Sequence, residues 1–291
     1  MNHKRPNFVF NTCTLLCLFV ISCNLSKQNR ANGQYQKIKE KEPIYFGDTA
    51  KFDANQEYKR RLFVFQGDTL PYREFNLPTI WEEPLPLVIF LHGSGERGND
   101  NESQLSHGSE WIWRASYSGF PCHAIFPQCN KNSYWSNVSR TKDSAGKPHF
   151  LFNDDTASTE AMKLLMAFVE HLTKQSYIDK SRIYIGGLSM GGMGTIEIMK
   201  RMPKTFAAAF PICGGGRITN FKPLKNSHWW FFHGLKDDIV PPECSIDLEM
   251  QLKNARIDTQ ITLFPNANHN SWDATFAEPR LLPWMFQQKI K

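Results

Sequence analysis

Basic charge is nowhere concentrated in this sequence. Its 34 Lys and Arg against 28 Asp and Glu leave a formal net charge of +6, and Lys4 and Arg5 supply two of that excess. The remainder is spread thinly, which excludes a basic stripe for nucleic acid. No repeat with a period of about 20 residues or more is present, which excludes a solenoid. Nine histidines occur, but none has ligand spacing with Cys or a carboxylate, so neither a metal nor another cofactor is expected. The N-terminal apolar run is too short for a comfortable membrane-spanning helix. What is present is ordinary globular usage: 41% hydrophobic, 13% aromatic and 21% charged residues, unlike disordered, collagen-like or coiled-coil chains. A length of 291 residues allows one large domain or two small ones, with a core that needs no staples.

Lys4 and Arg5 precede an apolar run from Phe8 to Ile21, and Ser22-Cys23 follows. This order fits a secretory signal peptide over residues 1–22. Val20-Ile21-Ser22-Cys23 resembles the lipobox of bacterial lipoproteins. The resemblance implies lipidation of Cys23, export, and a membrane anchor on the periplasmic or cell-surface side, since several acyl chains hold a protein durably. The alternative is an ordinary signal peptide with a chance cysteine. Residues 23–55 are polar and aperiodic and read as a tether. Cys122, Cys129, Cys213 and Cys244 would then face an oxidising compartment. Cys122 and Cys129 flank an extended run too long to bridge, so any disulfide is expected to use Cys213 or Cys244.

From residue 56 the pattern becomes regular. Lys59 to Gln66 and Leu70 to Leu77 read as a hairpin around Gly67-Asp68. Leu87 to Leu91 is an unbroken apolar run of buried-strand length, and His123 to Phe126 is another. Thr159 to Lys174 has helical apolar spacing. Strands at Ile183 to Ile185, Phe206 to Ile212, Trp229 to Phe232 and Ile261 to Phe264 alternate with helices at Gly192 to Met202 and Ser245 to Ala255. A helical tail runs from Leu281 to Ile290. This alternation predicts one α/β domain over residues 56–291, with a mostly parallel sheet, helices on both faces and an N-terminal antiparallel hairpin. Gly95 to Gly119 and Gln128 to Asp155 read as long irregular segments over the strand ends.

Four motifs sit at strand ends. Gly187-Leu188-Ser189-Met190-Gly191 lies between a strand and a helix, the setting a nucleophile elbow needs. The same glycines also suit a helix start that merely packs closely. His92-Gly93-Ser94-Gly95-Glu96-Arg97-Gly98 can turn a backbone N–H toward the serine. An acyl-transfer site needs two donors for the developing oxyanion, and the Met190 and Ser94 amides are the candidates. His92 itself reads as a hydrogen-bonded structural residue. His233-Gly234-Leu235-Lys236-Asp237-Asp238 offers two acids, and Asn268-His269-Asn270 offers a base. A serine hydroxyl is a weak nucleophile until a base takes its proton, and the base needs an acid to orient it.

The order Ser189, then an aspartate, then His269 resembles that of the α/β-hydrolase superfamily. Within it the chain is similar to secreted carboxylesterases, feruloyl esterases and polyhydroxybutyrate-depolymerase-like proteins. Leu87 to Gly98, Gly187 to Gly194 and His233 to Pro241 carry the likeness. The resemblance implies a catalytic Ser189, Asp237 and His269, with Asp237 chosen over Asp238 by the H-G-x-x-D-x-x-V-P spacing. It also implies an ester substrate, a small molecule or one linked to polysaccharide, cleaved through an acyl-enzyme without a cofactor. Phe126-Pro127-Gln128-Cys129 followed by Trp135 resembles a loop that borders the pocket in relatives, making Trp135 a pocket candidate beside Trp272. Trp111, Trp113, Trp135 and Trp272 could together form an aromatic platform, although packing suits most of them, and Trp229 to Phe232 reads as a buried strand. No long lid insertion precedes His269, unlike true lipases, and the nucleophile position is not Cys, unlike dienelactone hydrolases. Two other readings stand beside the esterase: a serine peptidase of the same fold, and a binding protein with a dead site.

Overall fold

The computed structural model describes residues 51–290 apart from 78–82, 143, 145, 147 and 154–157. Cys23, the signal segment and most of the expected tether lie outside the described residues. Ordered packing begins ahead of the expected boundary at residue 56. The Phe52 ring lies 5.3 Å from Trp113, and the one-turn helix α1 (Ala54–Glu57) is capped by the Asp53 side chain.

Eight strands form one sheet: β1 (Lys59–Phe65), β2 (Asp68–Phe75), β3 (Leu85–Leu91), β4 (His123–Pro127), β7 (Ile178–Leu188), β8 (Ala208–Ile212), β9 (His228–Gly234) and β10 (Asp258–Phe264). Their order is β1-β2-β4-β3-β7-β8-β9-β10. Only β2 opposes its neighbours; every pairing from β4 to β10 is parallel. The β1–β2 turn is Gln66-Gly67, one residue earlier than the sequence suggests. Both residues have positive φ, as a two-residue hairpin that matches strand twist requires.

All seven residues of β3 are buried, which explains its unbroken apolar run. Leu87, Ile89 and Leu91 enter one core layer with Leu165 and Phe168 of α3 (Glu160–Leu172), Ile196 of α4 (Met190–Arg201) and Leu248 of α5 (Glu243–Asn254). Val88 and Phe90 enter the other layer with Ile112 of α2 (Ser109–Tyr117) and with Leu281 and Met285 of α7 (Leu281–Gln287). A single strand thus anchors helices on both faces. This is the α/β-hydrolase fold.

Two segments expected to be irregular are not. The first contains α2, which starts after Gly108 at φ 79° without a side-chain cap. Its Trp, Ser and Tyr residues are weak helix formers, and burial of Ile112 and Trp113 holds it instead. The second contains a separate antiparallel hairpin, β5 (Val138–Lys142) with β6 (Pro148–Phe152). A further short helix, α6 (Trp272–Phe276), follows His269. The four cysteines are unpaired, so the bridge that the sequence left open for Cys213 or Cys244 is not formed. Burial pushes the Cys122 and Cys129 thiols up to about 12 and holds Cys213 higher still.

Candidate active site

Strand β7 ends at Leu188 and α4 begins at Met190, so the chain reverses at Ser189. That residue has φ 54° and ψ −115°, a strained backbone for a residue other than glycine. The turn is held by Ser189 N–H donating to Ile212 O at 2.9 Å and Met193 N–H donating to Ser189 O at 3.0 Å. It fits because flanking positions lack side chains. A Cβ on Gly191 would stand 1.9 Å from Leu91 O. The serine side chain is left half-exposed above the N-terminus of α4.

His269, on the loop after β10, places Nε2 2.9 Å from Ser189 Oγ. Its Nδ1 lies 2.8 Å from Asp237 Oδ2. A carboxylate only accepts, so Nδ1 carries the hydrogen and Nε2 is free to accept from Ser189. Burial alone would raise the Asp237 carboxyl. Hydrogen bonds from His233, His269 and the Val240 N–H outweigh it and hold the group well below the usual carboxylate range. Asp238 turns away: it is exposed, and its backbone N–H donates to Asn268 Oδ1 at 3.3 Å. The structure therefore brings Asp237, not its neighbour, to the histidine. Cys213 Sγ lies within 4.8 Å of the Asp237 and His269 ligand atoms. These three form the one His/Cys/acid cluster among the described residues.

Met190 is the first residue of α4, where an N–H has no intrahelical acceptor. Ser94 opens a short 3-10 turn, Ser94–Glu96, after β3. Ser94 and Ser189 line the same cavity of about 240 Å³. His92 braces this loop as a structural residue. Its Nδ1 donates to Gly93 O at 2.6 Å, and its Nε2 accepts from Cys129 N–H at 3.0 Å. Burial pushes it down to about 4, so it is neutral near pH 7.

The pocket candidates fare differently. Trp272 stands edge-on to His269, with ring centroids 5.8 Å apart. Trp135 is fully buried, packed against Gly194 and the His92 ring, so it is a core residue rather than a pocket wall. Its neighbour Tyr134 lines the cavity instead. Sequence reading also missed Arg97, Arg140 and Phe150, which share that wall. The short β-favouring run Phe150-Leu151-Phe152 was the available signal for Phe150, and nothing in the sequence marked Arg140.

Comparison with known proteins supplies the family. The pattern of the phospholipase/carboxylesterase family matches residues 81–278, from before β3 to just beyond α6. The chain belongs to this family. A thermostable esterase of known structure superposes with a TM-score of 0.71 at 30% identity, covering 81% of this chain and 64% of that one. Lysophospholipase-like protein 1 of Mus musculus is 26% identical over 62% of this chain and 79% of its own. A bifunctional acetylxylan esterase/xylanase of Neocallimastix patriciarum is 25% identical over 59% of this chain. The match spans only 22% of that protein. Ser189, Asp237 and His269 lie on the turns and loops that follow β7, β9 and β10, beyond the C-terminal ends of these parallel strands.

Proposed function

We propose that the protein hydrolyses carboxylic esters through an acyl-enzyme on Ser189. The observation that carries this reading is the continuous hydrogen-bonded series Ser189 Oγ, His269, Asp237, at 2.9 and 2.8 Å, opening on a cavity that Ser94 also lines. His269 Nε2 takes the Ser189 proton as Oγ attacks the ester carbonyl carbon. Asp237 holds the imidazole in the tautomer that can do so and stabilises the cation that forms. The Met190 and Ser94 amides donate to the oxyanion. The tetrahedral adduct collapses, and His269 gives its proton to the departing alcohol. Water then attacks the acyl carbonyl while His269 takes its proton. Collapse releases the acid and returns the proton to Ser189.

The substrate class is carboxylic esters, with acetyl or feruloyl groups attached to plant polysaccharide among the candidates. The similarity to a bifunctional acetylxylan esterase/xylanase supports it. Cys23 is proposed to carry the lipid that holds the enzyme at a membrane, on the strength of the Val20 to Cys23 sequence. The decisive experiment pairs fluorophosphonate labelling with turnover of an ester and peptide panel. Wild type should label and cleave esters, and Ser189→Ala should do neither. Labelling that persists in Ser189→Ala, or cleavage of peptides in preference to esters, overturns the reading.

A further inference from the structure

The β5–β6 hairpin forms part of the wall of the cavity beside Ser189. Arg140 and Phe150 are directly opposed in this antiparallel pair, so their side chains share one face. Both line the cavity with Ser189, and the Arg140 guanidinium lies 5.7 Å from the Phe150 ring centroid. No ion pair engages Arg140 among the described residues. A second guanidinium reaches the same cavity from the loop after β3. Arg97 donates from Nε to Ser94 O at 3.1 Å and from Nη1 to Lys131 O and Ser133 O at 3.2 Å each. These neutral acceptors fix the group without cancelling its charge, and Nη2 keeps both hydrogens. The guanidinium also lies over Tyr134, 5.5 Å from its centroid.

Two positive charges thus share the cavity with the nucleophile, and no Asp or Glu lines it among the described residues. The neighbouring cavity, about 520 Å³ across Phe150, has the opposite character: Glu243 and Asp247 line it. Guanidinium groups seated over aromatic rings are restrained before a ligand arrives, and their donor fork suits carboxylate or phosphate oxygens.

Resting on the esterase reading above, we propose that the substrate of this site carries an oxyanion, a carboxylate or a phosphate, near its scissile ester, and that Arg140 and Arg97 receive it. The anion lies on the serine side of Phe150 because the acids line the other side. Arg97 joins this contact to catalysis, since the carbonyl it holds belongs to Ser94.

Two ester series test this. One has a 4-nitrophenyl leaving group and acyl chains of matched length ending in methyl, carboxylate, phosphonate or trimethylammonium. The other consists of acetates of phenols bearing the same four groups. In one series an anionic member should exceed the methyl member in kcat/KM by about tenfold, the order expected of one charge-assisted hydrogen bond. The cationic member should fall below it. The preference should shrink in about 0.5 M salt, fall severalfold in Arg140→Gln and recover in Arg140→Lys. The two anions decide between carboxylate and phosphate. Equal kcat/KM across the charges in both series, or a ratio unchanged by Arg140→Gln, overturns the proposal. A wild type that neither labels with fluorophosphonate nor cleaves any ester overturns the esterase reading instead.

Discussion

His233 Nε2 lies 3.2 Å from Asp237 Oδ2, the same oxygen that His269 Nδ1 meets at 2.8 Å. The other oxygen, Oδ1, accepts from Ile239 N–H at 3.0 Å and Val240 N–H at 2.9 Å. His269, the two backbone amides and His233, whose Nε2 is shared with Val240 O at 2.9 Å, therefore converge on one buried carboxylate. An amide at this position cannot reproduce the arrangement. With its oxygen kept on the two backbone amides, its NH2 would face both imidazoles. His269 would then have to accept at Nδ1 and carry its hydrogen on Nε2, where it cannot take the serine proton. Asp237→Asn should lower kcat by about 10³ to 10⁴, the loss such an exchange produces in a serine triad. Asp238→Asn, at an exposed carboxylate, should cost less than about tenfold. Steady-state rates of both variants on one ester check this, and the reverse order would move the acid to Asp238.

Much of this arrangement was legible in the sequence, for identifiable reasons. Leu87 to Leu91 has the length and unbroken apolarity of a buried strand, and the elbow around Ser189 needs its small residues in contiguous positions. Asp237 required more than local reading: both aspartates follow a strand end, and only the loop's hydrogen bonds to Ile239 and Val240 decide which one points inward. Trp135 was misread because its direction depends on a loop with no period. The β5–β6 hairpin was missed because none of its residues is buried and β5 is polar beyond Val138, so core patterning does not mark it. Arg97 and Arg140 went unnoticed for a related reason: an unpaired guanidinium is visible only once its neighbours are in place.

Acid should weaken the protein through His92. Its ordinary value is 6.5, and burial lowers it to about 4 in the folded state. The unfolded chain therefore binds the additional proton across this range, and folding stability is lost as pH falls from about 6.5 toward 4. At about 1.4 kcal/mol per tenfold change in proton concentration, the loss from this residue is on the order of 3 kcal/mol at about pH 4. Denaturant midpoints measured near pH 7 and near pH 4 should differ less in His92→Gln than in wild type. An equal pH dependence in both would show that His92 is not the titrating group. Asp237 works in the same direction at more acid pH: its depressed carboxyl stabilises the fold above its unfolded value, and this is lost only well below it.

Lipidation at Cys23 is tested by fractionation. Cys23→Ser should leave the precursor unprocessed or release the protein from the membrane fraction, because removing the acylated residue removes the apolar chains that hold it. Unchanged processing together with an unchanged membrane fraction would exclude the lipid anchor and leave an ordinary signal peptide.

Among the described glycines, the elbow makes the sharpest steric demand. A Cβ on Gly191 would stand 1.9 Å from Leu91 O, 2.5 Å from Leu91 C and 2.8 Å from His92 O, all of them backbone atoms. Backbone in the centre of a sheet cannot rotate out of the way as a side chain can. In Gly191→Ala, α4 must therefore move away from the end of β3. That motion carries Ser189 and the Met190 amide away from Ser94, which continues from the same strand end. Overpacking should cost about 1 to 3 kcal/mol of stability. Activity should fall further than stability, because a misplacement of about 1 Å can cost about 100-fold in rate. Gly95→Ala supplies the stability control, since nothing lies within 4 Å of the Cβ it would add; its unfolding midpoint should change by less than about 0.5 kcal/mol. Denaturant unfolding and fluorophosphonate labelling rates, measured on folded Gly191→Ala, separate the two effects. A variant that is destabilised yet labels at the wild-type rate would show that the serine holds its position without the close approach of α4 to β3.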